Sequence, residues 1–111
     1  MKIFKVLAIA ATLITSNAFA VELVANTKIT RIGTSTNGVT DNFFIRTEGG
    51  TGPCAGKSII FKRADAPSEG FYERLYSTAL AAYTSGQTNV RVVNPNGDDC
   101  GAATYIDMIA G

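Results

Sequence analysis

Histidine is absent from all 111 residues. Without it, Ser-His-Asp and Cys-His catalysis lack their base, and zinc or copper sites lose their commonest ligand. Cysteine is nearly as scarce. Cys54 and Cys100 are the only two, and no C-x-x-C arrangement suggests a redox pair. The basic residues do not run together beyond the pair Lys62-Arg63. No apolar run approaches the roughly 20 residues that span a bilayer. Repeats, low-complexity stretches and interdomain linkers are also missing. These absences imply no metal, no cofactor, no membrane span and no catalytic residues, and they turn attention to binding.

The first segment that is present is an address. Met1-Lys2-Ile3-Phe4-Lys5 makes a short basic start, Val6–Ile14 is apolar, and Ala18-Phe19-Ala20 places small residues where a signal peptidase reads. That order predicts a secretory signal peptide over residues 1–20 and a single domain over 21–111, bound for the periplasm or the medium. Removing Lys2 and Lys5 takes Lys+Arg from 10 to 8 against 9 Asp+Glu, a net of −1. A near-neutral domain with dispersed cations lacks the footprint of a nucleic-acid binder, so no nucleic-acid partner is expected. In an oxidising compartment Cys54 and Cys100 should join as a disulfide.

The pattern along the chain is mainly β. Lys28–Thr34 alternates and is rich in β-branched residues, which predicts a strand. Asn37-Gly38 supplies a tight hairpin turn, and Asn42–Glu48 is the returning strand. Gly49–Pro53 reads as a flexible turn into Cys54, and Ser58–Lys62 as a third strand. A helix is expected over Phe71–Ser85. Ser68 or Asp65 would cap it and Gly86 would stop it, with Phe71, Leu75, Ala79 and Ala82 facing the core. Asn89–Val93, a turn at Asn94-Pro95-Asn96-Gly97, and a last strand over Ala103–Ala110 complete the order β-β-β-α-β-β. Five strands with a helix between the third and fourth is the order of an OB-fold, a partly open five-stranded barrel. An α+β sheet with one packed helix is the other arrangement of the same elements.

Few residues stand out as chemistry. Asp98 and Asp99 with Asn94 and Asn96 do not match a calcium loop, and they read as a polar turn. Gly49-Gly50-Thr51-Gly52 precedes no helix and lacks the lysine of a phosphate loop. Glu48, Glu69, Glu73 and Asp107 are available carboxylates, but no two are singled out as a glycosidase pair. On the second strand, Phe43 and Ile45 would face inward. Phe44, Arg46 and Glu48 would face outward as a candidate ligand-binding face. On the helix, Tyr72 and Tyr76 lie four apart on one side. They either pack at the core edge with hydroxyls in water or form a partner or oligomer surface. Tyr83 lies on the same helix.

From Cys54 to Val93 one succession of residues is distinctive. It runs Cys54-Ala55, Ser58-Ile59-Ile60, Phe71-Tyr72-Glu73-Arg74-Leu75, Ala79 to Tyr83, Ser85-Gly86-Gln87 and Val90-Arg91-Val92. This stretch resembles small secreted OB-fold proteins related to the B subunit of subtilase cytotoxin. It is also similar to uncharacterised small periplasmic proteins of gammaproteobacteria. The resemblance implies an OB-fold and, for the toxin relatives, a pentamer that binds sialylated glycans. No glycan contact is matched residue by residue, so none is carried over.

The expectation is therefore a secreted, non-enzymatic binding module with a glycan or protein partner. The alternatives are a toxin-like B subunit that forms a homo-oligomer and carries another chain, and a small envelope enzyme or inhibitor.

Overall fold

The structure, a computed structural model, describes residues 19–36 and 41–109. Most of the signal-peptide segment, the Asn37-Gly38 turn and Ala110 lie outside the described residues. The elements follow in the order β1 (Val21–Thr36), β2 (Asp41–Glu48), β3 (Ser58–Lys62), α1 (Glu69–Ser85), β4 (Val90–Asn94) and β5 (Tyr105–Met108). All five strands join one antiparallel sheet in the order β3-β2-β1-β4-β5.

β1 is central because it serves two partners in succession. Its first half pairs with β4 and its second half with β2. It begins at Val21, seven residues before the expected Lys28. The reason lies in its irregularities. The register shifts between Glu22 and Val24 and again between Val24 and Thr27, and Asn26 adopts φ 55°. Leu23 and Val24 are therefore both buried. Each shift in pairing breaks the inward–outward alternation by which a strand is read from its sequence.

The inner face of the sheet and one side of α1 enclose the core. Phe43 and Phe61 stack with centroids 4.5 Å apart across β2 and β3. Leu23, Ile29, Ile45, Ile59, Val90 and Val92 surround them, all at most 1% exposed. α1 begins at Ser68, whose Oγ accepts from the Phe71 amide at 3.1 Å. It ends at Gly86 in the left-handed region, where the Gln87 amide donates to the Ala82 carbonyl. Its buried residues are Tyr72, Leu75, Ala79 and Ala82. Tyr72 thus takes the inward position expected of Phe71, and Phe71 is half-buried at the side beneath the Arg74 guanidinium.

The sheet is not closed into a barrel. β3 and β5 are its two edges and share no ladder. Between them stand two backbone hydrogen bonds. The Ile60 amide donates to the Cys100 carbonyl at 2.8 Å, and the Ala103 amide donates to the Ile60 carbonyl at 3.2 Å. Ala103 directs its amide to β3, so the β4–β5 ladder starts only at Tyr105, two residues later than expected. The disulfide Cys54–Cys100 forms as expected and ties the approach to β3 to this same segment.

Residues 49–53 are not the loose turn expected of them. The Ala25 amide donates to Thr51 O at 2.9 Å, the Thr51 amide returns the bond to Ala25 O at 3.1 Å, and the Cys54 amide donates to Leu23 O at 2.8 Å. The segment is stitched along β1. Among the described residues, no helix is long and apolar enough to cross a membrane.

Candidate functional site

A cleft of about 780 Å³ opens where the ends of β1 and β2 face α1. The β1–β2 hairpin supplies Thr34, Ser35, Thr36, Asp41 and Asn42. The short 3-10 turn after β3 supplies Arg63, and α1 supplies Tyr72, Glu73, Tyr76 and Ser77. The helical spacing of Tyr72 and Tyr76 places both on the side that meets Phe43. Tyr76 meets the Phe43 ring edge-on at 5.2 Å, and Tyr72 meets it tilted at 5.6 Å. Tyr72 is 7% exposed. It contributes a rim to the cleft instead of standing on an open helix surface, while half-buried Tyr76 presents more of its ring.

Arg63 organises the charge here. Its Nε donates to Asp41 Oδ2 at 3.2 Å, a second nitrogen pairs with the Glu69 carboxylate, and the guanidinium lies 4.7 Å from the Tyr72 ring centroid. Two carboxylates therefore balance one cation. Burial pushes the Tyr72 hydroxyl above its usual range; Arg63 opposes this and Asp41 adds to it. Glu73 lines the cleft with no partner among the described residues. Asn42 is only 9% exposed, and its Oδ1 accepts no hydrogen bond among the described residues. A buried amide oxygen left without a donor is unfavourable by about 1–3 kcal/mol.

Beyond Asn42, which borders both, the outward face of β2 lies apart from this cleft. Phe44, Arg46 and Glu48 share it as expected, and their cross-strand neighbours complete it. The Phe44 ring is laid over Gly33, where an added Cβ would sit 2.7 Å from the ring. This cover over a glycine makes Phe44 a half-buried structural ring. Arg46 donates to the Gly56 carbonyl at 3.1 Å and to Ser58 Oγ at 3.3 Å. Directly opposite it on β1 stands Arg31.

The candidate carboxylates are dispersed. Glu69 is held by Arg63, and Asp107 is held by Arg91 at 2.7 Å. The hydrogen bond from Arg91 keeps the Asp107 carboxyl below its usual range, with burial working against it. Glu22 and Tyr105 complete that cluster on the outside of β4 and β5. Asp99 and Asn94 bond within their own turn: the Gly101 amide donates to Asp99 Oδ1, and the Asn96 amide donates to Asn94 Oδ1. Among the described residues no three His, Cys, Asp or Glu side chains gather as a metal site.

Two features were not visible in the sequence. The cleft takes its walls from four elements, and the signal for Asp41, Asn42 and Arg63 was no more than a strand start and a strand end. The cations Lys28, Arg31, Arg46 and Lys62 are spread over 35 positions, yet strand pairing brings them onto one face.

No curated protein and no solved structure matches the chain. A family model described as "Family of unknown function (DUF5992)" matches residues 3–110. The match covers nearly the whole sequence, and the chain belongs to that family.

Proposed function

We propose that this chain is an exported, non-enzymatic binding module whose cleft between the β1–β2 hairpin and α1 takes a neutral glycan. One observation carries the reading: a cleft of about 780 Å³ that combines two tyrosine rings with several hydroxyls. Aromatic faces take the apolar side of a sugar ring, and convergent polar groups orient its hydroxyls. The balance of charge favours a neutral sugar over a sialylated one. Arg63 is already matched by Asp41 and Glu69, and Glu73 adds an unmatched negative charge. The disulfide supports the export reading, because such bonds persist in oxidising compartments. The element order, the long shared β1 and the two bonds at Ile60 support an OB-like barrel that is left partly open.

The test is a glycan array with the purified protein, followed by titration of the best neutral hit against Tyr76→Ala. Binding that Tyr76→Ala weakens about tenfold or more supports the cleft, since stacking on one ring is worth roughly 1–1.5 kcal/mol and misplacement adds to it. An array blank at high protein concentration, or a hit indifferent to Tyr76, overturns the reading.

A second reading, a ring-forming B subunit, is favoured by one feature. β5 ends the sheet, and Tyr105 and Ile109 beside that edge are 43% and 63% exposed. An unpaired edge can accept a strand from another copy. Light scattering that finds a stable monomer at high concentration removes it.

A further inference from the structure

We infer that the outer face of β1, β2 and β3 is a docking surface for a linear acidic polysaccharide, distinct from the cleft except at Asn42, which borders both, and independent of what the cleft binds. Cross-strand pairing sets the surface. Lys28 lies opposite Glu48, Arg31 opposite Arg46, Gly33 opposite Phe44, and Lys62 opposite Asn42. Paired residues in an antiparallel ladder project to the same side. The inward positions are uncharged: Ile29, Ile32, Phe43, Ile45, Ile59 and Phe61, with Thr34 and Thr47 opposite Phe43 and Ile29. The outward set therefore holds four cations against the single carboxylate of Glu48, a formal +3 on a domain whose described part is otherwise acidic. From the row of Lys28 to the row of Lys62 the stripe runs about 20 Å, at roughly 3.3 Å per residue.

The charge is unspent within the fold. All four ion pairs among the described residues use Arg63 or Arg91. The side chains of Lys28, Arg31 and Lys62 have no hydrogen bond or ion pair there, and the Arg46 guanidinium bonds only the neutral Gly56 carbonyl and Ser58 hydroxyl. Those two bonds hold the Arg46 guanidinium in place without neutralising it. Like charges directly opposite on a sheet are destabilising. The Arg31–Arg46 pair thus opposes the fold, and an anionic ligand would turn it into a clamp.

The face fits a polymer better than a bilayer. Its central apolar residues, Phe44 and Ile60, are half-buried, and the exposed large apolar residues (Phe19, Leu80, Tyr83, Tyr105 and Ile109) are on other parts of the described chain. Nothing on this face would insert between lipids. A stacked single-stranded nucleic acid would want several open rings, and this face has one, folded onto Gly33.

Alginate serves as the probe, with neutral dextran, DNA and phosphatidylglycerol vesicles beside it. Binding to alginate should weaken at least about tenfold between about 50 and about 300 mM salt, as counterion release and screening require. The double variant Arg31→Gln/Arg46→Gln should lose at least about tenfold in affinity while its melting temperature stays level or rises. Arg74→Gln, a cation on α1 off this face, should bind as the parent does. No alginate binding, binding unchanged in the double variant, equal loss in Arg74→Gln, or tighter binding to DNA or vesicles than to alginate would each overturn the inference. Lost binding with a lowered melting temperature is resolved by Lys62→Gln, whose side chain makes no hydrogen bond or ion pair among the described residues and which must weaken alginate binding without lowering the melting temperature.

Discussion

Arg31 and Arg46 stand directly opposite one another across the β1–β2 ladder, and neither has an ion-pair partner among the described residues. Opposed like charges weaken a sheet by a few tenths to about 1 kcal/mol. Arg31→Thr removes the repulsion and places a β-branched residue in the strand. It should raise the urea midpoint by a corresponding amount at low salt. The gain should shrink as salt screens the parent pair. A destabilised Arg31→Thr at low salt would show that Arg31 supports the fold through something other than its charge.

The second expectation concerns Cys54 and Cys100. They close a loop with a sequence separation of 46. Chain entropy puts the stabilisation at about 4 kcal/mol, with measured values often lower. The bond also fastens the segment whose Cys100 carbonyl accepts from the Ile60 amide, at the gap between the edges of the sheet. Cys54→Ser/Cys100→Ser should therefore lower the melting temperature by about 10 °C or more, at 4–8 °C per kcal/mol for a domain of this size. Calorimetry of the pair against the parent reads this directly.

How far these features could be read from residue order differs from element to element. β2, β3 and the helix followed from alternation, Ser68 and Gly86, because each is regular and locally bounded. The disulfide followed from the export signal, since compartment decides whether two distant thiols join. The first half of β1 did not follow, because two register shifts bury Leu23 and Val24 side by side. On the helix, Leu75, Ala79 and Ala82 face the core as expected, and only the first position differs, Tyr72 in place of Phe71. Phe71 and Tyr72 are adjacent, and only the ring of Phe43 across the core selects Tyr72. The cleft and the cationic face depend wholly on contacts between distant segments. Arg31 and Arg46 are 15 positions apart, and no local pattern joins them.

The third expectation is a pH effect at Tyr72. Burial raises its hydroxyl above the usual value of about 10, so the folded chain holds this proton more tightly than the unfolded chain. A group with a raised folded value contributes stability that is complete below the unfolded value and is lost as pH climbs through the folded one. Stability should fall from about pH 10 upward. Tyr72→Phe should flatten that fall. Absorbance near 295 nm should show a late-ionising tyrosine in the parent that Tyr72→Phe removes. An unchanged alkaline slope in Tyr72→Phe would assign the loss to other groups.

The last expectation tests the stitched segment. Gly52 has φ +127°, and a Cβ built there lies 2.4 Å from the Leu23 carbonyl oxygen and 3.0 Å from the Val24 Cα. Both are backbone atoms of central β1, so a methyl group cannot be accommodated by turning a side chain aside. The same Leu23 oxygen accepts from the Cys54 amide at 2.8 Å. Gly52→Ala must push β1 and the disulfide-bearing segment apart, in addition to its strained backbone, and should destabilise by about 2 kcal/mol or more. Gly49→Ala separates the two causes. Gly49 also has positive φ, +74°, but its added Cβ meets nothing within 4 Å. It should therefore show only the backbone penalty of about 1–2 kcal/mol. Denaturant melts of the two variants should rank Gly52→Ala clearly below Gly49→Ala. Equal losses would mean that β1 yields at Leu23, and that residues 49–53 are tied to it less firmly than their hydrogen bonds indicate.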